Sequence, residues 1–293
     1  MPYLYPLLAI LIWAGNTVVN KAATQSIFPA EIGFYRWLFA AILLTPFCLP
    51  FAWKNRHTIK PWLGKIVVLG ILGMAVYQSL AYFAANHTTA TNMGIILALM
   101  PLISLLLSIA VLGTTLTWGA LLGCVLSLVG VLTILAQGDW AQLWQHGVNI
   151  GDAMMLVATF AYAVYSVLLK RWRINLPTFQ LLYLQVLVAI IVLFPLFLGS
   201  EKTGLNQHNL PLVLYAFLFA SIAAPWAWIK AVSLLGPSRT SLFFNWVPLF
   251  TALIAVWALG EIPGIYHAVG GVLTLLGVIL AEQWKTPIKA VNR

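Results

Sequence analysis

The chain has 293 residues, 62% of them hydrophobic and 7% charged, where a soluble domain carries about 25% charged residues. With a mean hydropathy of +0.97 it lacks the polar surface that a soluble enzyme, a nucleic-acid-binding protein or a disordered chain needs. The net charge of +9 then reads as a topological signal, because Lys and Arg gather in the cytoplasmic loops of membrane proteins. The composition predicts an all-α integral membrane protein in contact with the lipid bilayer.

Apolar runs of spanning length recur along the whole sequence, and ten transmembrane helices are expected at roughly 4–22, 32–53, 64–85, 91–111, 116–136, 150–170, 178–199, 211–232, 239–258 and 264–284. The N-terminus has no basic region or cleavage site of a signal peptide, so the first run is expected to persist as a helix. Pro29, Pro61, Pro177, Pro211 and Pro263 fall between spans or at their starts, where proline is tolerated. Pro46, Pro101, Pro195, Pro225 and Pro248 lie inside spans, and each is expected to kink its helix. Cys48 and Cys124 sit in apolar runs and read as packing residues.

Lys54, Arg56, Lys60 and Lys65, then Lys170, Arg171 and Arg173, then Arg239, and finally Lys285, Lys289 and Arg293 all fall on one side of this ten-span arrangement. That side reads as the cytoplasm, with both termini inside. The opposite loops carry Lys21 and Lys202 at their edges together with Glu31, Asp139, Glu201 and Glu261.

The two halves of the sequence match. Trp13-Ala14-Gly15-Asn16-Thr17-Val18-Val19-Asn20-Lys21 aligns with Tyr162-Ala163-Val164-Tyr165-Ser166-Val167-Leu168-Leu169-Lys170, and Pro46 falls on Pro195. At a slightly smaller offset Pro101 falls on Pro248, Gly113 on Gly260, Gly123 on Gly270 and Gly130 on Gly277. A half with an odd number of spans re-enters the membrane from the other side. Two inverted-topology five-helix repeats are therefore expected, at roughly 1–137 and 150–284, with a periplasmic linker at 138–149 and a cytoplasmic tail at 285–293. This arrangement is typical of secondary transporters, which bind substrate near the midplane between the repeats.

Two five-helix halves, a Trp and an Asn in span one, and Leu259-Gly260-Glu261 followed by Gly270 and Gly277 together resemble the EamA-type branch of the drug/metabolite transporter superfamily. The resemblance covers nearly the whole chain. The first half departs from it at Thr114, where the Glu after the Leu-Gly pair would stand, so that acidic residue is expected to be structural. The resemblance implies movement of amino acids, other small metabolites or drugs across the bacterial inner membrane, mostly outward. It implies a small-molecule substrate and a monomer sufficient for transport, with a dimer also open.

Polar side chains in hydrocarbon must face protein or a water-filled cavity. Trp13, Asn16, Thr17 and Asn20 recur at i, i+3, i+4 and i+7, one helical stripe. Tyr162, Tyr165 and Ser166 form the matching stripe in span six, and the two are expected to face each other across the centre. Tyr77, Gln78 and Tyr82 in span three, Trp228 in span eight, and Asn245 and Trp246 in span nine complete the expected substrate-binding set. Arg36, taken as about one turn into span two, is expected to snorkel outward or pair with Glu31, with contact to a substrate carboxylate the less favoured alternative for it and for Lys230. Lys230 is expected to snorkel inward. Gly119, Gly123, Gly270, Gly271 and Gly277 read as small packing faces.

His57, His87, His146, His208 and His267 carry no metal-ligand spacing, and no metal or cofactor is expected. A membrane enzyme would need acidic, His or Cys residues clustered at one interface, so catalysis is not expected. No Asp or Glu falls in the middle of a span. This disfavours carboxylate-driven efflux of organic cations, although the aromatic residues keep a multidrug or organic-cation exporter as the alternative. The leading expectation is export of amino acids or similar small metabolites by alternating access.

Overall fold

The computed structural model describes residues 3–113, 115–139, 141, 148–235 and 242–288. Thr114, His146, Arg239, Lys289 and Arg293, named above, lie outside the described residues, as does most of the linker. The chain is helical throughout the described residues. The helices are α1 (Leu4–Ala23), α2 (Pro29–Lys54), α3 (Arg56–Ala85), α4 (Ala90–Val111), α5 (Trp118–Leu135), α6 (Ile150–Trp172) and α7 (Thr178–Gly199). Then α8 runs through Leu210–Leu214, Tyr215–Ala223 and Ala224–Leu235, α9 through Leu242–Trp246 and Val247–Leu259, and α10 spans Ile265–Gln283.

Among the described residues six stretches are long and apolar enough to cross a membrane: α2, α3, α4, α6, α7 and Leu210–Trp228 of α8. Shorter apolar stretches lie in α5, α9 and α10, at Trp118–Ile134, Phe243–Leu259 and Ile265–Ala281. The outer surface is apolar. Trp257 and Ile191 are 87% and 72% exposed, while Asn20, Arg36, Gln78 and Gln185 are buried. Large apolar side chains outside with polar ones inside is the reverse of a soluble fold, and it suits lipid as solvent.

Contacts between loops sort the helix termini into two ends. At one end Lys65 lies over the rings of Trp62 and Trp172. Arg171 donates to the Val111 carbonyl (2.6 Å), and Thr117 pairs with Pro287 in an isolated antiparallel bridge. At the other end Lys21 donates to the Ala85 carbonyl (2.8 Å) and Asn209 to that of Ser26 (3.1 Å). Tyr266 there packs on Gly138. The basic segment at residues 54–65 and the start of the linker at 138 therefore occupy opposite ends.

The carboxylates at this second end hold loops and helix starts together. Glu31 accepts the backbone N–H of Thr203 (2.7 Å) and Gly204 (3.1 Å). Glu261 accepts the N–H of Ala90 (2.7 Å) and Thr91 (3.1 Å) and the Thr91 hydroxyl (2.7 Å), so it supplies acceptors to the unpaired donors at the start of α4. Gly260 places it there: as the residue ending α9 it adopts φ +67°, and Gly113 after α4 adopts φ +69°. This left-handed turn is what the Leu-Gly pair is for. Asp152 accepts from Thr88 and from Asn92 Nδ2 (3.3 Å). His267 Nδ1 accepts the Gly264 N–H (2.9 Å), which leaves Nε2 to donate to Asn92 Oδ1 (3.0 Å).

Four helices are irregular. In α3 and α8 the segments Gly70–Val76 and Tyr215–Ala223 are π-helical. In α4 the helix is interrupted at Ala98–Leu99, just before Pro101, and in α9 a 3-10 turn over Leu242–Trp246 precedes Pro248. Each proline lacks the N–H that would bond the carbonyl four residues earlier. Pro46 and Pro195 lie within continuous helices.

The most extensive packing is of α1 with α8 and α9, α6 with α3 and α4, α2 with α7 and α8, α3 with α7, α4 with α9, and α5 with α10, and α1 also touches α3 and α4. The α5–α10 pair is the closest. A Cβ on Gly123 would collide with the Gly277 carbonyl and the Ala281 side chain, and Ser127 donates to the Thr274 carbonyl across the seam (3.0 Å). Gly271 departs from the expected packing face: a Cβ there would meet only Ile95, at an ordinary 3.9 Å. Gly123→Ala should therefore destabilise by about 1–3 kcal/mol, and Gly271→Ala should be near neutral, measured by thermal unfolding in detergent.

Candidate functional site

Helix α1 carries its polar stripe into the protein interior. Asn16, Thr17 and Asn20 are buried. The Thr17 hydroxyl bonds its own helix at the Trp13 carbonyl (3.2 Å), and Asn16 Nδ2 donates to Asn20 Oδ1 (3.3 Å). That leaves Asn16 Oδ1 buried with no partner. The Trp13 indole N–H donates to the Ala220 carbonyl in the π-helical part of α8 (3.3 Å). Its ring stacks on Phe244 at 5.7 Å and tilts against Trp228 at 5.4 Å, and Trp228 meets Phe244 edge-on at 4.8 Å. One aromatic trio thus ties α1, α8 and the 3-10 turn of α9.

A second trio ties α3 to α6. Tyr162 lies 4.8 Å from Tyr77 and 5.0 Å from Tyr165. Tyr165 can lie so close to α3 because its ring covers Gly73, where a Cβ would overlap it. Ser166 bonds its own helix at the Tyr162 carbonyl (2.9 Å). Trp13, Tyr77, Tyr162, Trp228 and Phe244 all pack on one buried cluster around Ile10, Met93, Ile96 and Ala163. The stripes of α1 and α6 thus meet through α3 and α4, on which both helices pack.

Polar atoms around these trios lack partners. Gln78 Nε2, Gln185 Oε1, Asn245 Oδ1 and Thr251 Oγ1 are buried and unbonded, as is Asn16 Oδ1. Buried amides in hydrocarbon carry a cost of ~1–3 kcal/mol when unpaired. Asn16, Gln78, Asn245 and Thr251 lie on helices that carry the aromatic trios, and Gln185 lies on α7, which packs on α3; unpaired buried polar atoms are uncommon and call for an explanation. Trp246 does not join it. It is half exposed and stacks on Phe250 at 6.0 Å.

Arg36 neither snorkels nor pairs with Glu31, whose oxygens are taken by Thr203 and Gly204. It is 2% exposed. Its Nε and Nη2 both donate to Ser221 Oγ, at 3.0 and 2.7 Å, and Nη1 donates to the Tyr82 hydroxyl at 3.2 Å. The guanidinium lies 4.9 Å from the Trp37 ring centre and 5.9 Å from that of Tyr82. The sequence expectation placed the helix start late. Because α2 begins at Pro29, Arg36 lies about two turns in rather than one. An Arg beside a Trp deep in a span was the signal that could have found it. Among the described residues no group of three His, Cys, Asp or Glu could hold a metal ion.

An all-helical chain with an apolar exterior, polar groups buried midway and two aromatic trios at helix breaks has the build of a multi-pass membrane protein that handles a solute. The EamA-like transporter family matches residues 1–136 and 149–282, and the chain belongs to it. It is 30% identical over 289 residues to an uncharacterized transporter of Archaeoglobus fulgidus, covering 93% of this chain and 94% of that one. It is 26% identical to the uncharacterized transporter YyaM of Bacillus subtilis, over 94% and 92% of the two chains. A probable terminal-alkyne amino-acid exporter of Streptantibioticus cattleyicolor is 23% identical over 94% of this chain and 91% of its own. A solved crystal structure has the same fold, with a TM-score of 0.65 at 19% identity over 95% of both chains.

Tyr82→Phe removes the acceptor of Arg36 Nη1 in a buried site. It should destabilise the protein by about 1–3 kcal/mol, read as a lower thermal midpoint in detergent.

Proposed function

We propose that the chain is a secondary transporter of the bacterial inner membrane that exports amino acids or similar small metabolites by alternating access, with both termini in the cytoplasm. Ten spans form two inverted five-helix repeats, 1–137 and 150–284, and substrate sits between them among Trp13, Asn16, Asn20, Tyr77, Gln78, Tyr162, Tyr165, Trp228 and Asn245. One copy of the chain is complete for transport. Family membership supports transport, and the name of the Streptantibioticus relative supports amino acids among the solutes.

The observation that carries the reading is the pattern of helix packing. Exchange α1 with α6, α2 with α7, α3 with α8, α4 with α9 and α5 with α10. The α1–α8 packing then becomes α6–α3, α1–α9 becomes α6–α4, and α2–α8 becomes α7–α3, while α2–α7, α4–α9 and α5–α10 map onto themselves. The irregular segments obey the same exchange. The π-helical parts of α3 and α8 correspond, as do the interruptions before Pro101 and Pro248 and the left-handed turns at Gly113 and Gly260. A two-fold axis in the membrane plane produces such pairs, and broken helices near it line the substrate site in inverted-repeat transporters. The unpartnered oxygens of Asn16, Asn245 and Gln185 are acceptors for an ammonium group, and the aromatic faces suit the rest of a small metabolite. The buried charge of Arg36 weighs against an organic-cation exporter, whose cargo it would repel.

Two measurements test this. Asn16→Leu and Tyr165→Leu should lower flux of radiolabelled L-amino acids in proteoliposomes by about tenfold or more while leaving expression intact, and undiminished flux would remove these residues from the pathway. Single cysteines placed at His57 and Gly138 should label from opposite sides of the membrane, and labelling from one side would end the inverted-repeat reading.

A further inference from the structure

We infer that Arg36, with Tyr82 and Ser221, is a carboxylate-binding site in which the Ser221 hydroxyl occupies the place of the ligand's carboxylate. The inference rests on the transporter reading above and names the chemical class of its substrate, a solute bearing a carboxylate.

The argument begins with charge. Arginine stays protonated in proteins. A buried cation in hydrocarbon is costly and is normally found paired or functional. The sequence holds six acidic residues, and the described ones are engaged elsewhere or distant. Glu31 is bonded to Thr203 and Gly204, Asp152 to Thr88 and Asn92, and Glu261 to Ala90 and Thr91. Asp139 accepts from Ala141 in the linker, and Glu201 is exposed in the loop after α7. Among the described residues, Arg36 is held by two neutral hydroxyls and two aromatic faces, with no carboxylate opposite it.

Donor geometry follows. Arginine has five N–H groups, and three are used here. Two of these, on Nε and Nη2, converge on the single oxygen of Ser221. That edge of the guanidinium matches the two oxygens of a carboxylate, which form two parallel bonds with it. One neutral oxygen straddled by both donors is a substitute that leaves the charge uncompensated. Ser221 can be released because its own proton already goes to the Ala216 carbonyl (2.8 Å), a bond across the π-helical part of α8.

Location completes the case. Arg36 is joined through Tyr82 to the α3 face that carries Gln78, with its unpartnered Nε2, and Tyr77, which touches Tyr162. A carboxylate on Arg36 would leave the remainder of a zwitterion directed along α3 toward the aromatic trio. Gln78 Nε2 is a further donor for the carboxylate, and the unpartnered amide oxygens named above are acceptors for the ammonium.

The test uses the full-length protein purified in detergent and reconstituted in liposomes, with the common L-amino acids and their carboxamides as probes. Carboxylates should raise the thermal midpoint of the wild type, and the matching carboxamides should not. Arg36→Gln should weaken carboxylate binding by about tenfold or more, and Arg36→Lys by less, because it keeps the charge and loses the two-pronged edge. Ser221→Ala removes the competing oxygen and should tighten carboxylate binding by about threefold, an outcome that a purely structural Arg36–Ser221 bond would not give. Equal stabilisation by acids and amides, stabilisation by no carboxylate, or unchanged acid binding in Arg36→Gln would overturn the site. Flux measured in parallel separates this from the broader reading. Liposome transport of amides or amines without acid binding would refute the carboxylate site and leave the transporter standing. Acid binding without flux of any probe would refute transport of these solutes and leave the site standing.

Discussion

Hydrocarbon offers no hydrogen bonds, and this structure is organised by that deficiency. Every polar group inside the bilayer must find a partner within the protein or carry a free-energy cost. At the ends of the helices the chain meets the requirement with local acceptors. Glu261 serves the start of α4, Glu31 serves the loop after α7, and Asp152 binds Thr88 and Asn92. Nearer the middle it stops doing so. Asn16, Gln78, Gln185 and Asn245 each keep one unbonded atom, and Arg36 keeps an uncompensated charge. At the ends Ser26 Oγ is also buried without a partner, but the unbonded amides and the uncompensated Arg36 lie within the helices, and on the proposed function they are where a polar solute would bind.

The same requirement separates rigid from deformable parts. The α5–α10 pair is regular, glycine-lined and closed by backbone-to-backbone approach and the Ser127 bond. Such packing has one good arrangement and resists sliding. The four irregular helices α3, α4, α8 and α9 instead carry π-helical segments or proline breaks. There the backbone bonding pattern already departs from the α-helix, so a change of bend sacrifices less. Tyr77 of one aromatic trio and Trp228 and Phe244 of the other sit on these helices, against Tyr162 and Tyr165 of α6 and Trp13 of α1. On the proposed alternating-access function, the irregular helices are the parts that would bend while the α5–α10 pair stayed fixed.

Much of this was legible in the sequence, for reasons that differ by feature. Hydropathy located the six long apolar helices and the shorter apolar stretches of α5, α9 and α10, because a run of apolar residues is enforced by lipid whatever its tertiary neighbours. The stripe of Trp13, Asn16, Thr17 and Asn20 and that of Tyr162 and Tyr165 were legible because helical periodicity fixes which residues share a face. The glycines of α5 and α10 were read correctly as a packing seam, Gly271 excepted: adjacent to Gly270, it points some 100° away around the helix. Trp246 was misdirected by the 3-10 turn over Leu242–Trp246, whose tighter pitch no hydropathy pattern reveals. The π-helical segments were equally invisible, because Gly70–Val76 holds no proline. Arg36 was missed through a boundary. A start at Pro29 rather than some three residues later carries it nearly one turn further from the headgroups, beyond easy snorkelling.

Adjacent residues of α2 bring these strands of argument together. Arg36 donates to Ser221 in the π-helical part of α8, and Trp37 donates through its indole N–H to the Met74 carbonyl in the π-helical part of α3 (3.1 Å). One turn of α2 therefore grips both irregular helices, but by unequal means. The Trp37 bond ends on a backbone carbonyl, which no anion would displace. The Arg36 bond ends on a hydroxyl, and a carboxylate is the stronger acceptor for a guanidinium. An anionic solute at Arg36 would remove the Ser221 bond between α2 and α8 while the Trp37 bond to α3 stayed. On the inverted-repeat proposal the two halves would thereby respond unequally to one ligand, the inequality that alternating access would require.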